Sequence, residues 1–145
     1  MQLIESPSSD IKKNQVVDIL ELINLTWPDD DKAKPLEEKV TGFYDDHPEK
    51  ICYCLYKDKE LVGYAESIPL TIKIEKHWLK AFGLGGLNVH PDWRVKRYGK
   101  AILEAVLKKI DSGEYPFCIF QTGIPNFYEK LGCKVIKNKF INSNK

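Results

Sequence analysis

The stretch "NVHPDWRVKRYGKAILEAVLKKI", residues 88–110, joins the end of an apolar segment to a helix through a loop rich in cations. Apolar residues recur at helical spacing from Ile102 to Ile110, which predicts an amphipathic helix that buries one face. The N-terminus of a helix presents free N–H groups and a partial positive charge, so it is suited to binding an anion. Four cations surround this helix start: Arg94, Lys96, Arg97 and Lys100.

Gly99 falls within the first turn of this helix. Glycine lowers helix propensity there, unless another group has to come close to the backbone. A strand-to-helix turn that combines this glycine with the cations favours a phosphate-bearing ligand at residues 94–100. The alternative is a solvated basic loop, which is the commoner situation for a cluster of cations. These residues indicate a class of ligand but no reaction.

The composition is that of an ordinary globular domain. The chain has 145 residues, of which 43% are hydrophobic and 30% charged, so we expect a single domain over residues 1–145. The formal net charge is +1, which provides no overall field for nucleic acid or an anionic membrane. No apolar stretch is long enough to span a membrane, and the N-terminus does not resemble a signal peptide. We therefore expect a cytoplasmic protein.

The cysteines predict packing rather than chemistry. No second close pair of cysteines or histidines completes a zinc site around the Cys52-x-Cys54 pair. Residues two apart on a strand share one face, so these two thiols are expected in the core. We expect reduced thiols and no metal, with metal binding as the minority alternative. The four cysteines are Cys52, Cys54, Cys118 and Cys133.

The hydrophobic pattern predicts the element order β-α-α-β-β-β-α-β-α-β. In the first half of the chain we expect a strand at 2–5, a helix at 10–25 with Ser9 as N-cap, a second helix from Pro35, and strands on either side of a turn at 57–59. The segment 71–80 is expected to extend the third strand into a connection. In the second half we expect a strand at 81–89, the helix that ends near Gly113, a strand at 117–122, a short helix at 126–131 and a last strand at 133–140. The Gly85-Gly86 pair suggests a bulge or a close approach within its strand. The expected fold class is α/β (α+β), with a mixed, mostly antiparallel sheet of about six strands and about four flanking helices.

Two segments together resemble the GNAT superfamily of N-acetyltransferases. In that family a strand ends V-x-P, and R/Q-x-x-G-x-G/A then opens a helix; Val89, Pro91, Arg94 and Gly99 match, while Arg97 stands where the first glycine is usual. The second signature, F-Y-x-x-L-G followed by an aromatic residue, corresponds to "FYEKLGC" at 127–133, with Cys133 in the aromatic position. Both occur in the family's order and at its separation.

The resemblance implies acetyl-CoA as co-substrate, with no metal. The pyrophosphate would bind to Arg94 and to the backbone N–H groups of Val95, Lys96, Arg97, Tyr98, Gly99 and Lys100. Pantetheine would lie beside Leu87, Asn88 and Val89, where the fourth and fifth strands diverge, and the N–H of Val89 would hold the thioester carbonyl. Several alternatives stay open: Arg97 points away or contacts a phosphate, Lys96 and Lys100 touch the 3′-phosphate or solvent, and Asn126 binds the cofactor or caps its helix.

The reaction implied is direct transfer to an amine, without a protein nucleophile. Tyr128 would protonate the departing thiolate, and its alternative role is that of a core tyrosine. The fourth strand lacks the acid that many family members use as base, so Glu66 on the third strand is the best substitute. An outward-facing structural role for Glu66, His90 as base, and bulk water remain alternatives.

The acceptor is expected to be a small cationic amine. The family's acceptor pocket lies under the first two helices, whose connection here carries Trp27, Asp29, Asp30 and Asp31. That patch would attract a polyamine, an aminosugar or a lysine side chain, unless it is only a solvated loop. Twelve residues follow Cys133, so the sheet is either shortened or completed by a neighbouring chain in a homodimer. The competing interpretation is an acyl-CoA sensor or interaction module that has lost catalysis.

Overall fold

The computed structural model describes residues 1–28, 34–94, 97–122 and 124–136. The strands are β1 (Gln2–Pro7), β2 (Ile51–Lys57), β3 (Glu60–Ile74), β4 (His77–Val89) and β5 (Cys118–Ile119). The helices are α1 (Lys13–Thr26), α2 (Leu36–Asp45), α3 (Tyr98–Asp111) and α4 (Pro125–Glu129), with short 3-10 turns at Ser8–Asp10 and Pro91–Trp93.

The strands form one sheet in the order β1-β2-β3-β4-β5. Neighbouring strands are antiparallel except for β4 and β5, which are parallel. The fold is therefore the mixed, mostly antiparallel α/β domain that the sequence predicts, with five strands in the described residues rather than about six. Cys133–Ile136, the start of the predicted last strand, are not in a strand, and 137–140 lie outside the described residues.

The two faces of the sheet carry different helices because side chains alternate along each strand. On β2, Cys52 and Cys54 join a core cluster with the buried faces of α1 and α2, whereas Tyr53 and Leu55 join a second cluster with α3. The shared face predicted for Cys52 and Cys54 is confirmed. All four cysteines are free thiols.

The expected N-cap at Ser9 is wrong. Residues Ser8–Asp10 form a 3-10 turn, and α1 starts at Lys13 with Lys12 as N-cap, whose backbone N–H donates to Oε1 of Gln15. The cause is tertiary: the N–H of Ser8 donates to the carbonyl of Lys50, and Ile11 is buried in the core. These contacts anchor the chain against β2 before the helix begins.

The segment 71–80 is a hairpin rather than an extension that leads into a connection. β3 continues to Ile74, the chain turns at Glu75 and Lys76, and β4 begins at His77. Glu75 has a left-handed backbone (φ 57°), as a two-residue hairpin turn requires. The pairs Leu70–Ala81 and Ile72–Leu79 continue the ladder, so residues 68–81 form a two-stranded arm.

None of the helices in the described part of the chain is long and apolar enough to cross a membrane. The same residues contain no group of three or more histidine, cysteine, aspartate or glutamate side chains arranged to hold a metal ion.

Candidate active site

The end of β4 has an open edge on the side of β5. The N–H of His90 donates to the carbonyl of Val62 in β3, at 2.8 Å. Because hydrogen-bonding groups alternate along an antiparallel strand, the N–H and C=O of the preceding Val89 point away from β3. The Nε of Arg94 reaches that Val89 carbonyl from the other side, at 3.0 Å. Val89 therefore directs its N–H towards the β5 side of the sheet.

Within the described residues, pairing between β4 and β5 covers Phe82–Cys118 and Gly83–Ile119 and ends there. The β5 side of residues 85–89 is not paired with another described strand. This stretch includes Leu87, Asn88 and Val89, the predicted pantetheine contacts. An open strand edge can accept an extended ligand that pairs with it as a further strand would.

The glycine pair of β4 forms the predicted bulge. Tyr64 pairs with Asn88 and Glu66 with Gly85, so Ala65 alone faces the two residues Gly86 and Leu87. Gly86 has φ +60°, the left-handed conformation that glycine adopts at such a bulge. Near it, Asn88 is buried; its Nδ2 donates to the carbonyl of Gly86, while its Oδ1 has no hydrogen-bond partner among the described residues.

Glu66 lies over this bulge, on the sheet face that carries α1 and α2. A Cβ placed on Gly85 would lie 3.2 Å from both Cγ and Oε1 of Glu66, so the absence of a side chain at Gly85 makes room for the glutamate. The hydroxyl of Tyr64 donates to Oε2 of Glu66, at 2.7 Å. Glu66 is half-buried, so part of this residue is exposed to solvent.

The start of α3 is built on an unusual backbone. Arg97 is the N-cap and has φ 62° and ψ 18°, in the left-handed region that favours glycine. The GNAT signature has its first glycine at this position. The left-handed backbone gives a physical reason why glycine is usual there. Val95 and Lys96 lie outside the described residues. Tyr98 packs beside Trp93, and the ammonium of Lys100 is 3.8 Å from Oε1 of Glu104, an exposed ion pair within the helix.

Gly99 brings the two sequence signatures together. A Cβ placed on Gly99 would lie 3.4 Å from Cζ of Phe127 and 3.8 Å from Cγ2 of Val89. The start of α3, the end of β4 and helix α4 therefore meet at one point. The close approach that the sequence predicts at Gly99 includes the ring of Phe127.

The predicted acceptor loop begins at the same place. Nη2 of Arg94 donates to Oγ1 of Thr26 at 3.1 Å, which ties the end of α1 to the end of β4. Trp27 follows directly as the C-cap of α1 and is 53% exposed. Asp29, Asp30 and Asp31 lie outside the described residues. The guanidinium of Arg94 thus already holds two protein groups, a structural role that the sequence did not predict.

Tyr128 is a buried residue of α4. Its ring makes edge-to-face contacts with Phe120 and Phe127, at centroid distances of 4.7 Å and 5.0 Å. Burial raises the pKa of Tyr128 above its ordinary value, Cys133 nearby raises it further, and a hydrogen bond with Thr122 opposes both effects. The phenol is therefore protonated at neutral pH and can donate a proton.

Two alternatives are decided by hydrogen bonds. Asn126 is an exposed residue inside α4, whereas the N-cap is Ile124, whose N–H donates to Oγ1 of Thr122; the capping role considered for Asn126 is wrong. Nδ1 of His90 accepts a hydrogen bond from the N–H of Asp92, at 3.1 Å, and so stabilises the 3-10 turn. This supports the structural interpretation of His90.

Sequence reasoning missed Tyr64 and Thr26 as neighbours of the site. The signal for Tyr64 was available, since residues two apart on a strand share a face and Tyr64 stands two before Glu66. The contact of Thr26 with Arg94 joins residues 68 positions apart, and no local pattern announces it.

Several solved acetyltransferase structures have the same fold as this chain. No curated protein matches the sequence. Glucosamine-6-phosphate N-acetyltransferase from Arabidopsis thaliana superposes with a TM-score of 0.69 at 16% identity, over 99% of this chain and 98% of that chain. Ribosomal-protein-alanine N-acetyltransferase from Brucella melitensis gives a TM-score of 0.71 at 14% identity, over 98% and 99%. A predicted acetyltransferase from Clostridium acetobutylicum, crystallised with acetyl-CoA, gives 0.74 at 10% identity, over 98% and 95%.

At these identities the likeness to solved structures shows the fold alone. The sequence itself provides the assignment, because the family profile for the acetyltransferase (GNAT) domain matches residues 8–136, most of the chain. The chain therefore belongs to the GNAT acetyltransferase family.

Proposed function

We propose that the protein transfers an acetyl group from acetyl-CoA directly to a primary amine of a small cationic acceptor. The observation that carries this proposal is the junction of three elements at Gly99: the open edge of β4, the start of α3 and the aromatic pair of α4. Each element would contribute a different function, namely cofactor pairing, phosphate binding and proton donation.

The described residues fit acetyl-CoA at this junction. The backbone of Leu87–Val89 faces an open edge, and Gly99 offers backbone without a side chain in the first turn of α3. The free N–H groups of that turn, from Arg97 to Lys100, would hold phosphate oxygens. Roles for Val95, Lys96 and Asn126 follow from the family resemblance alone. When bound, acetyl-CoA supplies an acetyl group activated as a thioester.

The protein would act on protons and charge. The N–H of Val89 donates to the acetyl oxygen as negative charge builds on it. The amine nitrogen forms a bond to the acetyl carbon while the bond from that carbon to sulfur breaks. The proton lost by the amine passes to Glu66, and the departing thiolate takes the phenolic proton of Tyr128. Glu66 pairs with Gly85, four residues before Val89, so the amine proton would reach it through water.

The acceptor side is proposed from Trp27 and the acidic residues Asp29, Asp30 and Asp31. An exposed indole suits a cationic amine through cation–π attraction, and the carboxylates that follow it in the sequence suit the same amine through their charge. Polyamines, aminosugars and lysine side chains share this chemistry. Among the structurally similar proteins, the Arabidopsis enzyme is named for an aminosugar phosphate and the Brucella enzyme for a protein. This fold therefore serves acceptors of different size.

The decisive experiment is an amine panel with acetyl-CoA, followed by release of free thiol. The panel contains polyamines, aminoglycosides, aminosugars, amino acids and lysine peptides, and calorimetry measures acetyl-CoA binding in parallel. We expect binding together with turnover of at least one cationic amine. Binding without turnover of any acceptor would instead identify the acyl-CoA sensor, and absence of binding at millimolar acetyl-CoA would reject both functions.

The Gly99→Trp variant tests the cofactor site. An indole at this position would fill the junction between the start of α3, Val89 and Phe127, where acetyl-CoA is proposed to bind. We expect the dissociation constant for acetyl-CoA to rise roughly tenfold or more, since 1.4 kcal/mol corresponds to a factor of ten. Gly99→Ala is the matched control: the family signature accepts alanine here, and a methyl group would be in ordinary contact with Phe127, so its affinity should stay close to that of the wild type. Unchanged affinity in a normally folded Gly99→Trp variant would show that the cofactor does not approach Gly99.

A further inference from the structure

Resting on the proposed function, we propose that Tyr64 is the positioning residue that holds the Glu66 carboxylate over the β4 bulge as the base for the acceptor amine. Tyr64 touches no reacting atom in this proposal and acts only through Glu66. It explains how β4 can lack an acid of its own, because a carboxylate from β3 is held in place above Gly85.

The hydrogen bond between the two residues is short and protected. The hydroxyl oxygen of Tyr64 lies 2.7 Å from Oε2 of Glu66 and 3.2 Å from Sγ of Cys52. Tyr64 and Cys52 are fully buried, in the cluster that packs against α1 and α2. A buried ring fixes its hydroxyl, and the hydroxyl in turn restricts a half-buried glutamate that would otherwise rotate about several bonds.

The direction of the hydrogen bonds follows from the ionisation of the buried groups. Burial raises the pKa of Tyr64 and raises that of the Cys52 thiol to about 11, so both keep their protons at neutral pH. A carboxylate accepts hydrogen bonds better than a thiol does, so the phenolic hydrogen belongs to Glu66. The thiol of Cys52 can then donate to the oxygen of Tyr64. Oε2 is thereby occupied, and Oε1 keeps its lone pairs for a substrate proton.

The glycine pair provides the space that this arrangement needs. A Cβ on Gly85 would lie 3.2 Å from Oε1 of Glu66, and a Cβ on Gly86 would lie 3.4 Å from Cε2 of Tyr64. A larger side chain at Gly85 would push the carboxylate away, while Gly86 also needs its left-handed backbone. The bulge, the tyrosine and the glutamate therefore form one structural unit on this face.

The test is a double-mutant cycle on turnover. Tyr64→Phe removes the hydroxyl and keeps the ring, Glu66→Gln removes the base, and the third variant combines both. We expect Tyr64→Phe to lower kcat about tenfold to a hundredfold, the scale of a misplaced catalytic group, with unchanged affinity for acetyl-CoA. In the Glu66→Gln background the same change should have no further effect, because Tyr64 acts only through Glu66.

Tyr53→Phe is the matched control. Tyr53 is an equally buried tyrosine on β2 whose hydroxyl donates to Oε1 of Glu5, but its side chain faces α3 on the opposite side of the sheet. Its variant should keep the wild-type kcat. Gly85→Ala provides a second test in which Tyr64 is intact: the methyl group displaces Glu66, so kcat should fall while acetyl-CoA still binds.

The outcomes separate this proposal from the proposed function. Two results for an active wild-type enzyme would overturn the positioning role: a normal kcat in Tyr64→Phe, or a loss of kcat from Tyr64→Phe that is equal in the wild-type and Glu66→Gln backgrounds. Either result leaves the proposed acetyltransferase function intact. A wild-type protein that binds acetyl-CoA but acetylates no amine overturns the proposed function, and the positioning role with it. Circular dichroism and urea unfolding establish that each variant is folded.

Discussion

At the scale of single residues, the proposed role of Tyr128 as general acid gives the most specific catalytic prediction. Its burial between two phenylalanine rings and its raised pKa keep it protonated at neutral pH. If it protonates the leaving thiolate, Tyr128→Phe should lower kcat by roughly a hundredfold or more, the usual scale for a positioned general acid. The high-pH limb of the kcat profile should also disappear, because it reports ionisation of the phenol.

The companion measurements distinguish catalysis from packing. Acetyl-CoA affinity should barely change in Tyr128→Phe, since the ring and its aromatic contacts remain. Phe120→Leu serves as a control for packing, because it alters a ring that contacts Tyr128 without removing a proton donor, and it should keep most of the wild-type kcat. A Tyr128→Phe enzyme with the wild-type kcat and an unaltered pH profile would leave Tyr128 as a core residue and return the proton to water.

Arg97 allows a prediction about backbone strain at the same scale. A left-handed residue with a side chain costs about 1–2 kcal/mol, and glycine avoids this cost but loses more conformational entropy on folding. Arg97→Gly should therefore raise the free energy of unfolding by up to about 1 kcal/mol in a urea titration. Arg97→Ala is the control, because it removes the same cation but keeps the strain. Equal stability of the two variants would contradict the argument.

At the scale of elements, the sequence predicts best where one local rule decides the structure. Helical periodicity predicts α1 and α3, and the glycine pair predicts the bulge of β4 that accommodates Glu66. The hairpin turn at Glu75 and Lys76 lacks the usual Asn or Gly, so the long β3–β4 ladder could not be read from the turn. The start of α1 is set by contacts with residues near β2 and equally escapes local patterns.

A buried lysine caps the C-terminus of helix α2, and the sequence did not predict this cap. Nζ of Lys50 donates to the carbonyl oxygens of Phe43 and Asp46 and lies 4.2 Å from the ring centroid of Phe43. These are the carbonyls that a helix C-terminus leaves without partners. Lys50→Met keeps the chain length but leaves them unsatisfied, so we expect unfolding to become easier by roughly 1–3 kcal/mol.

Urea unfolding of Lys50→Met beside Lys76→Met tests this cap. Lys76 is an exposed lysine in the β3–β4 turn, so the second variant removes the same charge without burying anything. Its free energy of unfolding should stay within about 0.5 kcal/mol of the wild type. If both variants lost stability equally, net charge rather than the cap of α2 would be the cause.

At the scale of the whole molecule, distant contacts assemble the candidate site. Arg94 links α1 to β4, Gly99 joins α3 to α4, and Glu66 reaches across from β3 to the bulge of β4. The residue types and their order could be predicted, since the signatures are local. The sequence could not predict which of these side chains already hydrogen-bond to other protein groups, because Arg94 and His90 make their hydrogen bonds only in the assembled fold.

The same core makes stability depend on pH in alkaline solution. Burial raises the pKa of Cys52 to about 11 and that of Cys54 to about 12, from the ordinary 9.0 of a thiol. Below pH 9 these thiols are protonated in both the folded and the unfolded chain, so stability does not depend on them. Above pH 9 the unfolded chain releases their protons while the folded chain retains them, so stability falls as the pH rises towards the folded values.

Two such thiols should lower the free energy of unfolding by about 2.7 kcal/mol between pH 8 and pH 10, at about 1.36 kcal/mol per pKa unit. Cys118, whose pKa burial raises to about 12, adds a loss in the same direction. The measurement is urea unfolding with a reductant at half-unit pH steps.

Cys54→Ala removes one of the titrating thiols, so its stability should decline by about 1.4 kcal/mol less over the same interval. Because each protein is compared with itself at pH 8, the cavity left by the substitution does not enter the comparison. A decline equal to that of the wild type would show that the Cys54 thiol ionises as readily in the folded chain as in the unfolded one.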